Sequence, residues 1–321
     1  MFDKVVESVL FKFNIGPLLS FSALPINSGL SGSAVYKIIS FNGVFALKFY
    51  TPSTLSSLQC AQALIAKSQK NGFTLFPVII PCKSNETVVY ENGLYWDLSS
   101  WIPGVTPEIW GDTLVQSINK LVEFHIAIGF HESEYAVMPA MENRVREINS
   151  FSLSAINSSS LSFLPVSSLM EHLIWIKQEL NYLNVSPLPT VKIQYCWGDA
   201  RRENILFDNN KISGFVDYNA MRKDCKEVDV SRMISSFAVD DYAIWTDALN
   251  TYSAKASINY LVCRKLDILG TINSFYRWLV WLQNPMPEPR LHLGVQRFTE
   301  IYERIKKWKE HGSLKSMLFY D

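Results

Sequence analysis

The chain has 321 residues, 48% of them hydrophobic and 19% charged, which is ample apolar material for one large domain or two lobes. Thirty basic residues balance thirty acidic ones, so net charge gives no reason to expect nucleic acid or an anionic membrane surface as partner. Five scattered cysteines (Cys60, Cys82, Cys196, Cys225, Cys263) form no CxxC pair and no dense spacing, which argues against a zinc ribbon or a disulfide scaffold and for reduced thiols. Met1–Lys4 lacks a basic stretch followed by an apolar run, and no apolar segment approaches the roughly 20 residues that span a bilayer, so a cytoplasmic protein without membrane partners is expected.

Residues 1–20 have room for a short helix. Val35-Tyr36-Lys37-Ile38-Ile39 and Val44 to Tyr50, rich in β-branched and aromatic residues and separated by Phe41-Asn42-Gly43, read as a hairpin. Leu55, Leu58, Ala61, Leu64 and Ile65 keep helical spacing over 54–70, and Asn71-Gly72 ends that helix. Three more strands are expected at 78–81, 87–90 and 94–98, the last two joined by Glu91-Asn92-Gly93. Beyond Pro103-Gly104 the periods turn helical, at 112–129, 168–184, 228–250, 254–284 and 293–310, with a Ser-rich link over 150–168. In the last helix Glu300, Glu303, Arg304, Lys306, Lys307 and Lys309 read as a solvated face.

The chemistry concentrates between Trp197 and Asp217. Asp199 is followed five residues on by Asn204, then by the apolar runs Ile205-Leu206-Phe207 and Ile212 to Val216, and then by Asp217. An acid that can accept a hydroxyl proton, followed by an amide and a carboxylate that offer oxygens to magnesium, is the residue set that phosphoryl transfer requires. Asn209-Asn210 reads as the turn of a hairpin, since Asn tolerates positive φ, and the hairpin lets Asn204 and Asp217 face one ion. Lys48 shares one strand face with Ala46 and Tyr50; it is either an edge residue or a cation under a phosphate cleft. Asn27 to Ser33, with Gly29 and Gly32, is either an ordinary loop or a turn whose N–H groups cradle phosphate, and it lacks the Gly-Lys-Ser/Thr ending of a P-loop.

Taken together, these segments resemble the aminoglycoside phosphotransferase and choline kinase superfamily, small-molecule relatives of the protein kinases. The resemblance rests on Ser28 to Tyr36, Phe45-Ala46-Leu47-Lys48, Ser100-Trp101-Ile102-Pro103-Gly104, Leu121 to His125, Trp197-Gly198-Asp199, Ile212 to Tyr218 and Val228 to Arg232. It implies an α+β, two-lobed, protein-kinase-like fold, with a small antiparallel-sheet nucleotide-binding lobe over 1–101 and a larger helical catalytic and substrate-binding lobe over 102–321. It implies ATP and Mg2+ as cofactors and a small-molecule hydroxyl as acceptor. Asp199 would be the base, Asn204 and Asp217 the metal ligands, and Lys48 the contact to the α- and β-phosphates. Ser31, Gly32 and Ser33 would cradle phosphate, and backbone at Leu98, Ser99 and Ser100 would hold adenine. Asp229 would brace the catalytic loop, while His125 is expected to be a packed helix residue. Arg201 is either a surface cation or a group that neutralises charge on the transferred phosphoryl.

Two departures stand out. Trp197 occupies the position of the family's usual histidine, and the helix over 54–70 contains no acid to pair with Lys48; Gln62 is its best-placed substitute. The alternative function is therefore a nucleotide-binding pseudokinase or regulatory scaffold without turnover. The substrate stays open: an acidic cleft could draw on Asp240, Asp241 and Asp247, and an aromatic box on Trp245, Tyr276, Trp278 and Trp281, although a helical core accounts for these rings equally well.

Overall fold

The computed structural model describes residues 2–24, 34–108, 112–129, 134–151, 166–182, 190–284 and 288–318. Its elements run in chain order: α1 (Phe2–Phe11), β1 (Leu18–Ala23), β2 (Val35–Ser40), β3 (Gly43–Tyr50), α2 (Leu55–Lys70), β4 (Ile79–Ile80), β5 (Val89–Glu91), β6 (Leu94–Ser100), α3 (Asp112–Ile128), β7 (Tyr135–Val137), α4 (Pro139–Ser150), α5 (Val166–Tyr182), β8 (Thr190–Lys192), β9 (Gln194–Cys196), β10 (Ile205–Asp208), β11 (Lys211–Phe215), β12 (Arg222–Asp224), α6 (Glu227–Ala238), α7 (Tyr242–Ser253), α8 (Tyr260–Trp281) and α9 (Glu288–Glu310). The fold is α+β, with an antiparallel sheet early in the chain and mostly helices later. Contacts divide it into two compact units, Met1–Phe130 with Tyr195–Lys223, and His131–Gln194 with Asp224–Asp321.

The first unit is built on a sheet ordered β1-β2-β3-β6-β4, with β5 also pairing with β6, every pair antiparallel. The expected hairpin over β2 and β3 is present in full register from Val35↔Lys48 to Ser40↔Gly43. Inward residues Tyr36, Ile38, Leu47, Trp96 and Leu98 meet Val6, Val9, Leu10 and Phe13 from α1 and the residues after it, which gives the sheet one apolar face to bury. α2 covers its share by burying Leu58, Ala61, Gln62, Leu64, Ile65 and Ser68, a stripe at helical spacing. Several elements go beyond the sequence expectations, among them β7, β8 and β12, each three residues long. The residues of β1 are mostly exposed, and in the second unit α4 buries Ala140, Met141 and Ile148, too few to mark a continuous apolar stripe.

In the second unit the helical run expected over 228–250 is broken. Val239 has φ +50°, a left-handed conformation costly for a β-branched residue, and its carbonyl accepts hydrogen bonds from Trp245 Nε1 and Arg304 Nη2, both at 3.0 Å. Asp241 then caps α7 by accepting from Ile244 N at 3.1 Å. The expected solvated face of α9 needs one correction. Arg304 turns inward, donating to Asp240 Oδ1 at 2.7 Å and to Asp267 Oδ2 at 2.6 Å, while Arg264 Nη1 also reaches Asp267 Oδ2 at 3.0 Å. A buried carboxylate, Asp267, and a half-buried one, Asp240, demand cations, and this helical residue is placed to supply one.

Candidate active site

An aromatic slab sets the site in the first unit. Trp197 is fully buried, stacked on Phe215 with ring centroids 4.6 Å apart and 20° between planes, and meets Phe76 edge-on at 5.4 Å. Phe76 in turn packs on Phe124 of α3 at 5.1 Å. Trp197 stands two residues before Asp199, and Phe215 two before Asp217. The Trp197 indole also donates to Asp217 O at 3.1 Å, so the residue that departs from the family pattern makes a hydrogen bond to the very loop it must orient. Gly198 between them has φ +80°, and a Cβ there would run into the Ala220 carbonyl, so both the conformation and the space require glycine.

Asp199 is held from two sides. Asn204 Nδ2 donates to Asp199 Oδ2 and to Asp199 O, each at 2.9 Å, and Arg201 Nη2 lies 3.3 Å from Asp199 Oδ2. Asn204 ends a short 3-10 turn, Arg202–Asn204, and its carbonyl accepts from Val216 N at 2.9 Å. That bond extends the β10–β11 hairpin, whose register runs from Ile205↔Phe215 to Asp208↔Lys211 around Asn209 and Asn210, both at positive φ. Asn204 and Asp217 therefore flank the open end of one hairpin, as the spacing suggested. The segment that follows β6 joins the same hairpin: Val105 and Phe207 exchange backbone hydrogen bonds at 2.9 Å each, and Ser213 Oγ donates to Pro103 O at 2.6 Å.

Lys48 Nζ lies 3.0 Å from Asp217 Oδ1. Asp217 itself adopts φ +59°, a strained setting for a carboxylate residue and a common one at functional sites. Burial raises its carboxyl, but the charge and hydrogen bond of Lys48 and the charge of Arg201 outweigh that effect and hold it below the usual carboxylate range.

Behind Lys48 lies an acid that the sequence pattern alone does not single out. Asp97 is directly cross-strand from Lys48 in the β3–β6 pairing and is 1% exposed. Its Oδ2 accepts from Tyr218 OH at 2.7 Å and from Gln62 Nε2 at 3.1 Å. Gln62 thus spends its amide on Asp97. Burial pushes the Asp97 carboxyl up, opposed by the Tyr218 hydrogen bond, the Lys48 charge and the Gln62 hydrogen bond. The available signal was an acid inside the apolar strand Leu94–Leu98, paired by register with the strand lysine.

Leu98 is fully buried in the sheet core, Ser99 pairs with Ala46 and Ile79, and Ser100 N donates to Val78 O at 2.8 Å. Ser31, Gly32 and Ser33 lie outside the described residues. His125 is fully buried on α3, and none of the five cysteines is in a disulfide, four of them being buried. In the second unit Asp229 is fully buried in the first turn of α6. Of the residues offered for an acidic cleft, Asp240 is occupied by Arg304 and by Trp308 Nε1 at 3.0 Å, and Asp241 by its helix cap. Of the aromatic candidates, Trp245 is buried with the Arg264 guanidinium 4.5 Å from its ring centre, and Tyr276 stacks on Phe151 at 4.2 Å.

The sequence model of the phosphotransferase enzyme family matches residues 22–263, most of the chain. The chain belongs to that family. A search of curated proteins found no match. Among solved structures, this phosphotransferase superposes on spectinomycin phosphotransferase in complex with ADP and spectinomycin with a TM-score of 0.66 at 16% identity, covering 95% of this chain and 97% of that one. It matches an aminoglycoside phosphotransferase from Alicyclobacillus acidocaldarius with a TM-score of 0.62 at 14% identity, over 97% and 96% of the two chains. A microcompartment-associated aminopropanol kinase gives a TM-score of 0.62 at 11% identity, over 97% and 99%. At these identities the likeness establishes the protein-kinase-like fold.

Within the phosphotransferase, the donors at the hairpin mouth fit a hard divalent cation. Asp217 offers a carboxylate that stays ionised, and Asn204, whose amide nitrogen is committed to Asp199, offers its amide oxygen. No described helix is long and apolar enough to cross a membrane.

Proposed function

We propose that this phosphotransferase uses ATP and Mg2+ to transfer the γ-phosphoryl group to a hydroxyl of a small molecule. The observation that carries the reading is the Lys48–Asp217 contact, which brings a sheet lysine and a hairpin acid together across 169 positions of sequence, beside the Asp199–Asn204 pair. Phosphoryl transfer asks for positioned charge more than covalent chemistry, and this arrangement supplies it.

Asn204 and Asp217 would hold magnesium, which neutralises phosphate charge when bound. Lys48 would contact the α- and β-phosphates, and backbone groups at Ser31, Gly32 and Ser33 would cradle the phosphate chain. Adenine would lie along Leu98, Ser99 and Ser100; because the N–H groups of Ser100 and Trp101 are used inside the sheet, carbonyl oxygens would meet its amine. The acceptor oxygen attacks the γ-phosphorus as the bond to the β,γ-bridging oxygen breaks. The hydroxyl proton passes to Asp199, and ADP leaves with the bond's electron pair. Arg201, beside Asp199, would offset charge on the moving phosphoryl group. Gln62 would act on the nucleotide side at one remove, through Asp97. In functional terms the lobes are 1–101, which holds nucleotide, and 102–321, which supplies catalysis and the acceptor site.

The acceptor class draws support from two neighbours, which are a spectinomycin phosphotransferase and a kinase of aminopropanol, an amino alcohol. A cytoplasmic enzyme acting on a soluble metabolite, without nucleic acid or membrane as partner, is the consistent setting. The test is ADP release by purified protein with Mg-ATP across a panel of hydroxylated metabolites. Acceptor-dependent release that disappears in Asp199→Asn supports the reading. Nucleotide binding with the same negligible turnover in both proteins, whatever the acceptor, would instead identify a scaffold.

A further inference from the structure

We propose that Asp97, on strand β6, is the carboxylate that positions Lys48 when Asp217 is engaged with metal, so that the counter-charge of the phosphate-binding lysine comes from the sheet and not from helix α2. The inference rests on the nucleotide reading above and names a positioning residue within it.

Four observations carry it. First, Lys48 and Asp97 are directly opposed in an antiparallel pair, so their Cβ atoms share a face at about 4.5–5.5 Å. Second, Asp97 Oδ2 is satisfied by Tyr218 and Gln62, while the buried Oδ1 makes no close hydrogen bond and has only the buried Tyr50 hydroxyl of β3 acting on this carboxylate as a further neutral donor. A buried carboxylate oxygen left unpaired is costly, and an ammonium at the cross-strand position is the natural group to satisfy it. Third, α2 carries no acid, and its Gln62 donates to Asp97, which fixes the carboxylate from the helix side. Fourth, Lys48 in this structure sits on Asp217, a residue whose carboxylate the metal would claim. When that happens the lysine loses its partner, and a side chain only 16% exposed has Asp97 opposite it on its own sheet face. An ammonium transferred from Asp217 Oδ1 to Asp97 Oδ1 would stand between the buried acid and the phosphates.

The role predicts a separation of charge from shape. Asp97→Asn keeps an acceptor for Tyr218 and Gln62 but removes the charge. It should bind Mg-ADP about tenfold or more weakly in calorimetry while retaining the natural thermal midpoint to within a few degrees. Adding Gln62→Glu to Asp97→Asn returns a carboxylate from the helix and should recover most of the lost affinity. Natural affinity in Asp97→Asn, or no recovery in the double variant, overturns the proposal. A crystal structure of the unmutated protein with Mg-ADP decides independently of any variant. Lys48 Nζ within about 3.2 Å of an Asp97 oxygen is expected, and an ammonium that stays on Asp217 overturns it. If the protein binds no nucleotide, the proposed function fails, and the pairing is read without ligand from a denaturation cycle of Lys48→Met and Asp97→Asn in an Asp217→Asn background. Non-additive effects support the pair and additive ones dismiss it.

Discussion

Lys48 Nζ approaches Asp217 Oδ1 at 3.0 Å, and with Asp217 side-chain exposure at 42% the pair is open enough for a ligand to exchange partners within it. The contact is part-buried on the lysine side and open on the Asp217 side, where a ligand can reach it.

Lys48→Ala should accordingly weaken Mg-ATP binding while leaving the fold intact. One lost charge-assisted contact to phosphate corresponds to about 1.5–3 kcal/mol, or roughly 10- to 100-fold in affinity. Titration calorimetry measures it, and unchanged affinity would remove Lys48 from the site.

Asp199→Asn preserves the side-chain shape and an oxygen for the Asn204 hydrogen bond while removing the proton acceptor. Turnover should fall by about 10²–10⁴ with nucleotide affinity nearly unchanged. Equal, substantial turnover in the two proteins would contradict the assigned role.

Trp197 tests whether the slab holds the loop. Trp197→Phe removes the hydrogen bond to Asp217 O yet leaves an aromatic ring against Phe215, and should cost about 1–2 kcal/mol. Trp197→Ala empties a fully buried site and should cost about 3–5 kcal/mol. Denaturant midpoints at constant m give both values, and equal losses would mean that the ring contributes nothing beyond the hydrogen bond.

The Arg304 network predicts acid sensitivity in the second unit. Burial raises the Asp240 carboxyl, but the hydrogen bond and charge of Arg304, the charge of Arg264 and the Trp308 hydrogen bond hold it below its usual value. A carboxyl depressed on folding stabilises fully above its unfolded pKa of about 3.9, and that stabilisation is lost as pH falls through the folded value. Unfolding free energy should therefore drop steeply below about pH 4. Arg304→Met should cost about 3–5 kcal/mol at neutral pH, because it leaves Asp240 and Asp267 to share Arg264, and should flatten the acid-side slope. Urea denaturation at pH 7 and pH 3 separates these outcomes.

The sheet and the chemical loop were legible because both are local. β-Branched and aromatic residues around Phe41-Asn42-Gly43 marked β2 and β3, Asn209-Asn210 marked the hairpin turn, and Asp199 and Asn204 are joined by one short turn. What escaped the sequence depends on partners distant along the chain. Asp97 looked like one residue of a strand until pairing put it opposite Lys48, and Arg304 looked solvated until α9 was seen beside Asp240 and Asp267. Val239 carries no Gly or Pro to announce a helix break; two side-chain donors to its carbonyl impose it. The acids and aromatic rings weighed for substrate recognition had the right chemistry, but packing claims Asp240, Trp245 and Tyr276 for the interior.

The Trp197–Phe215 stack has a bearing on how such an enzyme could diversify. Each ring precedes one of the two acids by two residues, so the spacing between Asp199 and Asp217 is referenced to one aromatic pair and not to the tips of the loops that bear them. Residues elsewhere could then vary while the gauge between the proposed proton acceptor and the proposed metal ligand stays constant.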